Sequence, residues 1–150
     1  MLIGPHIDVL ATAHLDLPGL EPRGAVRADL LTPLGPLRVI GTHLGLIRRY
    51  RVLQIAAIYR HLSDLPQMPT VLAADMNEWG ATTAMEHAAP GLCFVTPPPS
   101  FPALRPLGRL DCFAVSGDLR VQSCGTYQAQ PARIASDHLP VWIDLALHRA

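Results

Sequence analysis

The sequence contains no lysine. Its twelve basic residues are all arginines, and twelve acidic residues balance them, so the formal net charge is zero. A protein that binds nucleic acid non-specifically carries an excess of positive charge, which attracts the phosphate backbone over long distances. The charge balance therefore argues against non-specific DNA binding. Basic residues cluster at Arg48, Arg49 and Arg51, and we interpret this cluster as the solvated face of a helix.

The sequence also lacks any apolar run close to the roughly 20 residues that a membrane-spanning helix needs. Residues 1–10 contain Pro5, His6 and Asp8, which interrupt the hydrophobic stretch that a secretion signal requires. The 150 residues, 49% of them hydrophobic, suffice for one globular domain and not for two. We therefore expect one folding unit over residues 1–150 in a soluble, cytoplasmic protein.

Cysteine is scarce as well. Cys93, Cys112 and Cys124 show neither the close spacing of a zinc site nor the even number of a disulfide framework. Each lies in or beside an apolar segment, so we expect three reduced cysteines in the core.

Hydrophobic periodicity predicts the main elements. Alternating apolar residues predict strands at 25–31 and 37–42, joined by a turn of proline and glycine. Apolar residues then recur every three or four positions over 48–62, which predicts an amphipathic helix. The apolar run 70–74 is typical of a strand buried on both faces.

Weaker patterns complete the chain. They predict a short helix at 80–89, and the five prolines of residues 97–106 predict an irregular surface loop. Further strands are predicted at 109–115, 120–123 and 140–147. Strands that alternate with helices indicate a layered α/β fold.

Polar residues cluster at four places where a predicted strand begins or ends. Side chains at strand ends of a layered α/β fold converge on one crevice, so residues far apart in sequence can form one site. The clusters are Thr42-His43-Leu44-Gly45, Asp75-Met76-Asn77, Arg109-Leu110-Asp111 and Ser136-Asp137-His138.

The last cluster contains the residue types of a serine-hydrolase triad, but three consecutive residues cannot face one another as a triad requires. Leu139 precedes Pro140 and is therefore biased to extended geometry. We expect Asp137 and His138 to point into a cleft from the turn before the last strand.

In this order the clusters resemble the motifs of the endonuclease/exonuclease/phosphatase superfamily. Residues 41–45 are similar to its threonine–histidine–leucine motif, and residues 74–77, Ala-Asp-Met-Asn, to its Gly-Asp-Phe-Asn motif. Residues 109–116 are similar to its Asp-Tyr-Ile-Phe strand. Residues 136–141 match its Ser-Asp-His-x-Pro-Val terminus nearly residue for residue. The resemblance covers about residues 20 to 146 and implies the layered α/β sandwich of that superfamily.

The resemblance implies a role for each matched polar residue in hydrolysing a phosphoester. His43 would contact the scissile phosphate, and Asp75 would orient or deprotonate the attacking water. Asn77 would donate a hydrogen bond to the phosphate oxyanion. His138 would stabilise charge on the phosphorane, in a tautomer held by Asp111.

The resemblance also implies a divalent cation, Mg²⁺ or Mn²⁺, with Asp137 as its ligand. In complete members an upstream glutamate is the principal metal ligand, and an upstream strand ends in asparagine. Neither residue is present here. Glu21 lies beside Arg23 and is a poor substitute for the glutamate. We interpret Glu78 and Trp79 as the entry to a helix and not as catalytic residues.

These departures imply that the chain corresponds to roughly the C-terminal half of the domain. One apolar sheet face would then lack its cover, so the chain would need the missing N-terminal half or self-association. A site short of its glutamate should bind Mg²⁺ or Mn²⁺ weakly and turn over phosphodiesters near the background rate.

The sequence thus predicts a divalent-metal-dependent phosphoester hydrolase with an incomplete metal site. Its substrate could be a small phosphoester, a phospholipid headgroup or nucleic acid. The alternative is a catalytically silent half-domain that acts through binding or as a subunit of a split enzyme.

Overall fold

The computed structural model describes residues 1–148, so Arg149 and Ala150 of the predicted folding unit lie outside the described residues. The described part forms a six-stranded sheet, a two-stranded sheet and three helices. In chain order the elements are β1 (Asp8–Leu17), β2 (Arg23–Thr32), β3 (Gly35–His43), α1 (Arg48–Ser63), β4 (Thr70–Asp75), α2 (Thr83–Ala88), β5 (Leu92–Val95), β6 (Asp111–Ser116), β7 (Leu119–Thr126), α3 (Gln130–Ala135) and β8 (Val141–Leu147).

The large sheet has the strand order β1-β2-β3-β4-β6-β5. Strands β2 and β3 form an antiparallel hairpin that closes where Thr32 pairs with Gly35. Gly35 has φ 100°, a conformation that glycine adopts without steric cost. Helix α1 returns the chain, so β4 lies parallel to β3, whereas β6 lies antiparallel to β4.

Each face of the central strands packs against a different layer. Helices α1 and α2 cover one face, where Leu72 packs in a cluster with Ile40 and Ile55. The β7–β8 pair covers the other face, where Val71 and Phe113 pack in a second cluster. Strand β4 is therefore buried on both sides, as its continuous apolar run predicts.

The β1–β2 end of the sheet is less well covered. Val9 of β1 is 49% exposed and Val26 of β2 is 41% exposed. The β7–β8 pair thus covers part of the second face, and apolar side chains at its β1–β2 end remain in contact with solvent.

The elements predicted from periodicity are confirmed, with boundaries shifted by a few residues, and together they give the predicted α/β layering. Strands β1 and β5 and helix α3 have no counterpart among the predicted elements. No helix in residues 1–148 is long and apolar enough to cross a membrane.

Two interpretations from composition are wrong in part. The proline-rich segment 97–106 is irregular, but it is not a surface loop throughout, because Ser100 and Ala103 are each only 1% exposed.

Of the three cysteines, Cys112 alone is buried. Cys93 is exposed because it lies on the edge strand β5, and Cys124 is half-buried in β7.

Candidate functional site

The register of three neighbouring strands brings the first motif residues together. His43, the last residue of β3, pairs with Asp75, the last residue of β4. Asp75 in turn pairs with Asp111, the first residue of β6. Three of the four polar clusters therefore meet at one edge of the sheet, as the strand-end argument predicts.

Asp75 lies between two histidines. Its Oδ2 atom is 3.4 Å from Nε2 of His43 and 3.7 Å from Nε2 of His138. The Asp75 side chain is largely buried and that of His138 partly so, whereas the His43 side chain is more than half exposed. A small ligand can thus reach His43 while Asp75 holds a fixed position behind it.

Asn77 is held by contacts with both strand ends. Its Nδ2 atom donates to the carbonyl of Leu44 at 2.9 Å and lies 3.0 Å from Nε2 of His43, and its backbone N–H donates to Oδ1 of Asp75 at 2.9 Å. Asn77 has φ 50°, a left-handed conformation that costs free energy for residues other than glycine. The turn therefore pins the amide beside His43.

His138 reaches the same place from the turn before β8. Its Nδ1 atom donates to Oδ2 of Asp111 at 2.8 Å, and the hydroxyl of Ser100 donates to the same oxygen. Burial lowers the pKa of His138, but the hydrogen bond to Asp111 and the nearby carboxylates outweigh it and raise this pKa above its ordinary value. The arrangement favours the imidazolium form.

Asp137 is the one predicted site residue whose carboxylate is exposed. Its Oδ1 atom lies 3.4 Å from the hydroxyl of Ser136, and that hydroxyl accepts a hydrogen bond from the backbone N–H of His138. Ser136 therefore shapes the turn, in agreement with the argument against a serine-hydrolase triad.

The described residues do not fit a complete Mg²⁺ site. Magnesium prefers octahedral oxygen ligands, usually one or two carboxylates with water and substrate phosphate. Within residues 1–148, no group of three or more His, Cys, Asp or Glu side chains is placed to hold a metal ion. Asp137 can offer a carboxylate, but Oδ1 of Asp75 already accepts the N–H of Asn77.

The two nearby glutamates are engaged elsewhere. Oε1 of Glu21 accepts the N–H of Leu46 at 3.1 Å, while its Oε2 accepts Arg23, whose hydrogen bond lowers the pKa of Glu21. Oε2 of Glu78 accepts Nη2 of Arg51 at 2.9 Å. Neither carboxylate is available without breaking an ion pair.

Arg51 has a role that the sequence interpretation missed. It is buried, and its Nη1 atom donates to the carbonyl of Leu46 at 2.6 Å while its Nη2 atom binds Glu78. Burial raises the pKa of Glu78, but Arg51 and the N–H of Gly80 outweigh it and lower this pKa overall. Arg51 thus ties the loop after His43 to the loop after Asn77.

The misassignment of Arg51 comes from the choice of the buried helix face. The helix buries Arg51, Gln54, Ile55 and Ile58. Of these, Ile55 alone belongs to the apolar positions that predict the helix, which are Val52, Ile55, Ala56, Tyr59 and Leu62. Gln54 accepts the N–H of Gly45 at 2.9 Å and donates to the carbonyl of Pro18. The sequence did contain a signal for this buried face. Its four residues are spaced three or four positions apart, so they lie on one side of the helix.

No protein-family model and no curated protein matches the sequence. Solved structures do match. A mannosyl-6-phosphatase from Bacteroides thetaiotaomicron is 17% identical with a TM-score of 0.78, over 95% of this chain and 68% of that one. An endonuclease/exonuclease/phosphatase from Bacteroides vulgatus is 18% identical with a TM-score of 0.80, over 95% and 67%. The chain has the endonuclease/exonuclease/phosphatase fold.

A third match shows the range of this fold. TDP2 from D. rerio, crystallised with a single-stranded DNA product, is 13% identical with a TM-score of 0.75, over 93% of this chain and 68% of that one. The chain therefore spans about two thirds of the length of each of these three structures. The fold predicted from the four motifs is confirmed.

Proposed function

We propose that this chain carries the catalytic residues of a divalent-metal-dependent phosphoester hydrolase. The observation that carries the proposal is the convergence of His43, Asp75, Asn77, Asp111 and His138 at one edge of the sheet. Two of the similar structures, a mannosyl-6-phosphatase and a TDP2 crystallised with a DNA product, support phosphoester chemistry for the fold.

In this proposal each residue has a task. Oδ2 of Asp75 lies between the two histidines and would accept a proton from, and thereby orient, the attacking water. The Asn77 amide and His43 would donate to non-bridging phosphate oxygens. His138, whose pKa is raised, would place positive charge beside the phosphorane as its negative charge develops.

The metal requirement belongs to the proposal as well. Asp137 is the proposed ligand from this chain for Mg²⁺ or Mn²⁺, and the remaining protein ligand would come from outside the described residues or from a second copy. The N-terminal half expected from the motif comparison is one such source. The cytoplasmic location also remains a prediction.

The net charge of the chain narrows the class of substrate only in part. A formal net charge of zero gives no long-range field for a nucleic-acid polymer, so a small phosphoester or a phospholipid headgroup fits at least as well as DNA. The exposed side of His43 leaves room for either.

The alternative is a catalytically silent half-domain that acts through binding. It is favoured by the absence, within residues 1–148, of three metal-binding side chains at one place. The two functions differ in one measurable respect, because a silent domain shows no hydrolysis that depends on His138.

Hydrolysis of an aryl phosphodiester at excess Mn²⁺ tests the proposal. We expect slow turnover that is lost in His138→Ala and retained in His87→Ala, which changes an exposed histidine outside the site. Equal rates in the unmodified chain and His138→Ala would refute the hydrolase and leave the binding domain.

A further inference from the structure

The proline-rich segment before β6 holds the turn that carries His138. The backbone N–H of Ala103 donates to the carbonyl of Asp137 at 2.7 Å, and the N–H of Leu139 donates to the carbonyl of Ser100 at 2.9 Å. Ala103 and Leu139 are both buried and belong to one apolar cluster. These two hydrogen bonds lie on either side of His138 in the chain, so a segment far away in sequence fixes its backbone.

Ser100 is held firmly within this segment. It is buried, its backbone N–H donates to the carbonyl of Gly108 at 3.0 Å, and its carbonyl accepts Leu139. Close packing around a buried residue leaves its side chain few alternative positions. The hydroxyl of Ser100, which donates to Oδ2 of Asp111, therefore occupies a fixed place.

Oδ2 of Asp111 accepts two hydrogen bonds, one from the hydroxyl of Ser100 and one from Nδ1 of His138. The carboxylate of an aspartate turns easily about its Cβ–Cγ bond, because this torsion has no sharp minima. A hydrogen bond from the imidazole alone would let the carboxylate and the ring move together. The second donor belongs to a fixed backbone, so it holds the carboxylate oxygen in place and the ring with it.

We infer that Ser100 is a positioning residue that acts through Asp111 to orient the imidazole of His138. The inference deepens the proposed function and rests on it for the task of His138 in the reaction. Ser100 is buried and its hydroxyl is engaged with Asp111, so it affects the reaction through the imidazole and not by touching the substrate. Because a hydroxyl carries no charge, it can be removed without changing the net charge of the site.

The ring N–H signal of His138 in a ¹H–¹⁵N spectrum, recorded at one fixed pH, tests this inference without any hydrolysis. The chain contains seven histidines, so His138→Ala identifies the signal by its loss. Ser100→Ala removes the hydroxyl, and Ser100→Thr keeps one. Thr126→Val is the matched control, because the hydroxyl of Thr126 donates to the carbonyl of Pro98 in the same segment.

We expect this proton to exchange with water at least about tenfold faster in Ser100→Ala, as for the loss of one ordinary hydrogen bond. Ser100→Thr should recover most of the protection, and Thr126→Val should retain it. At excess Mn²⁺, Ser100→Ala should also lower the kcat of aryl phosphodiester hydrolysis by about tenfold with little change in KM. A misplaced imidazole impairs the transition state more than substrate binding.

Faster exchange in Ser100→Ala and its recovery in Ser100→Thr, in a chain that shows no hydrolysis, would support the positioning of His138 and refute the proposed function. Unchanged exchange in Ser100→Ala, or an equal change in Thr126→Val, would overturn the inference whether or not hydrolysis occurs. Equal losses in Ser100→Ala and Ser100→Thr would also overturn it, as would an unchanged kcat in a Ser100→Ala chain that hydrolyses the substrate.

Discussion

Nδ1 of His138 lies 2.8 Å from Oδ2 of Asp111, a residue 27 positions earlier in the chain. The same carboxylate oxygen accepts the hydroxyl of Ser100 from the proline-rich segment. The pair therefore fixes which imidazole nitrogen faces Asp75 and favours a positive charge on the ring.

The first prediction concerns this pair as a unit. His138→Ala should lower any measurable hydrolysis by roughly 10² to 10⁴, the range for a positioned charge-stabilising group. Asp111→Asn should lower it less, because it removes the orienting partner and leaves the imidazole.

A double-mutant cycle on turnover checks the coupling. If Asp111 acts through His138, the double variant should be little worse than His138→Ala alone. Additive losses would show that the two residues act separately.

A second prediction concerns Arg51, which joins the two loops of the site. Arg51→Met leaves Glu78 with only the exposed Arg48, 3.6 Å away, as a cationic partner, so the free energy of unfolding should fall by about 1 to 3 kcal/mol. Denaturant unfolding measures this, with Arg49→Met as the exposed control, expected within about 0.5 kcal/mol of the unmodified chain.

A double variant tests the cause of this loss. Adding Glu78→Gln to Arg51→Met removes the carboxylate charge that has lost its buried partner and should recover part of the lost stability. If Arg51→Met and Arg49→Met unfold at the same denaturant concentration, the ion pair does not stabilise the site loops.

The third prediction is a pH dependence of stability from the buried pair Asp29 and Arg38. Arg38 donates to both carboxylate oxygens, at 2.8 Å and 3.1 Å, which lowers the pKa of Asp29 below its ordinary value of 3.8. The stabilisation is therefore present above pH 3.8 and is lost as the pH falls through the lower folded-state pKa.

Unfolding measured from about pH 6 to about pH 3 should show this loss. Asp29→Asn should be less stable near neutral pH and should lose less stability on acidification. An unchanged pH profile in Asp29→Asn would mean that other carboxylates dominate the acid response.

The partial cover of the sheet leads to a fourth prediction. Val9 and Val26 expose apolar surface at the β1–β2 end, so the chain alone should self-associate as its concentration rises. Light scattering over a range of concentrations measures this, and Val26→Glu should shift the equilibrium towards monomer. A monodisperse monomer throughout would show that the β7–β8 pair already covers enough of the sheet.

The sequence predicted where the candidate site residues lie because each stands at or close to an end of a short apolar strand, and these strand ends meet at one edge of the sheet. His43, Asp75 and Asp111 needed only the register of β3, β4 and β6 to become neighbours. The apolar pattern of these strands and their order in the sheet were sufficient to predict that the three residues lie together.

Contacts made across the fold could not be predicted in this way. Ser100 lies in a segment whose prolines indicate a surface loop, yet it is buried. Its hydroxyl donates to Asp111, and its carbonyl accepts the N–H of Leu139 from the turn before β8. Arg51 is charged and lies in an arginine cluster, a pattern that predicts exposure. Its burial depends on the ion pair with Glu78, 27 residues later in the chain. Partners of this kind become visible only in three dimensions.

The dependence of aryl phosphodiester hydrolysis on Mn²⁺ tests the central claim most directly. The claim is that the motif residues form one phosphoesterase site whose own metal ligands are incomplete. The rate should stay near background at micromolar Mn²⁺, rise through the millimolar range and vanish in both Asp137→Ala and His138→Ala. Saturation at one equivalent of Mn²⁺, or a rate that neither substitution changes, would contradict the account.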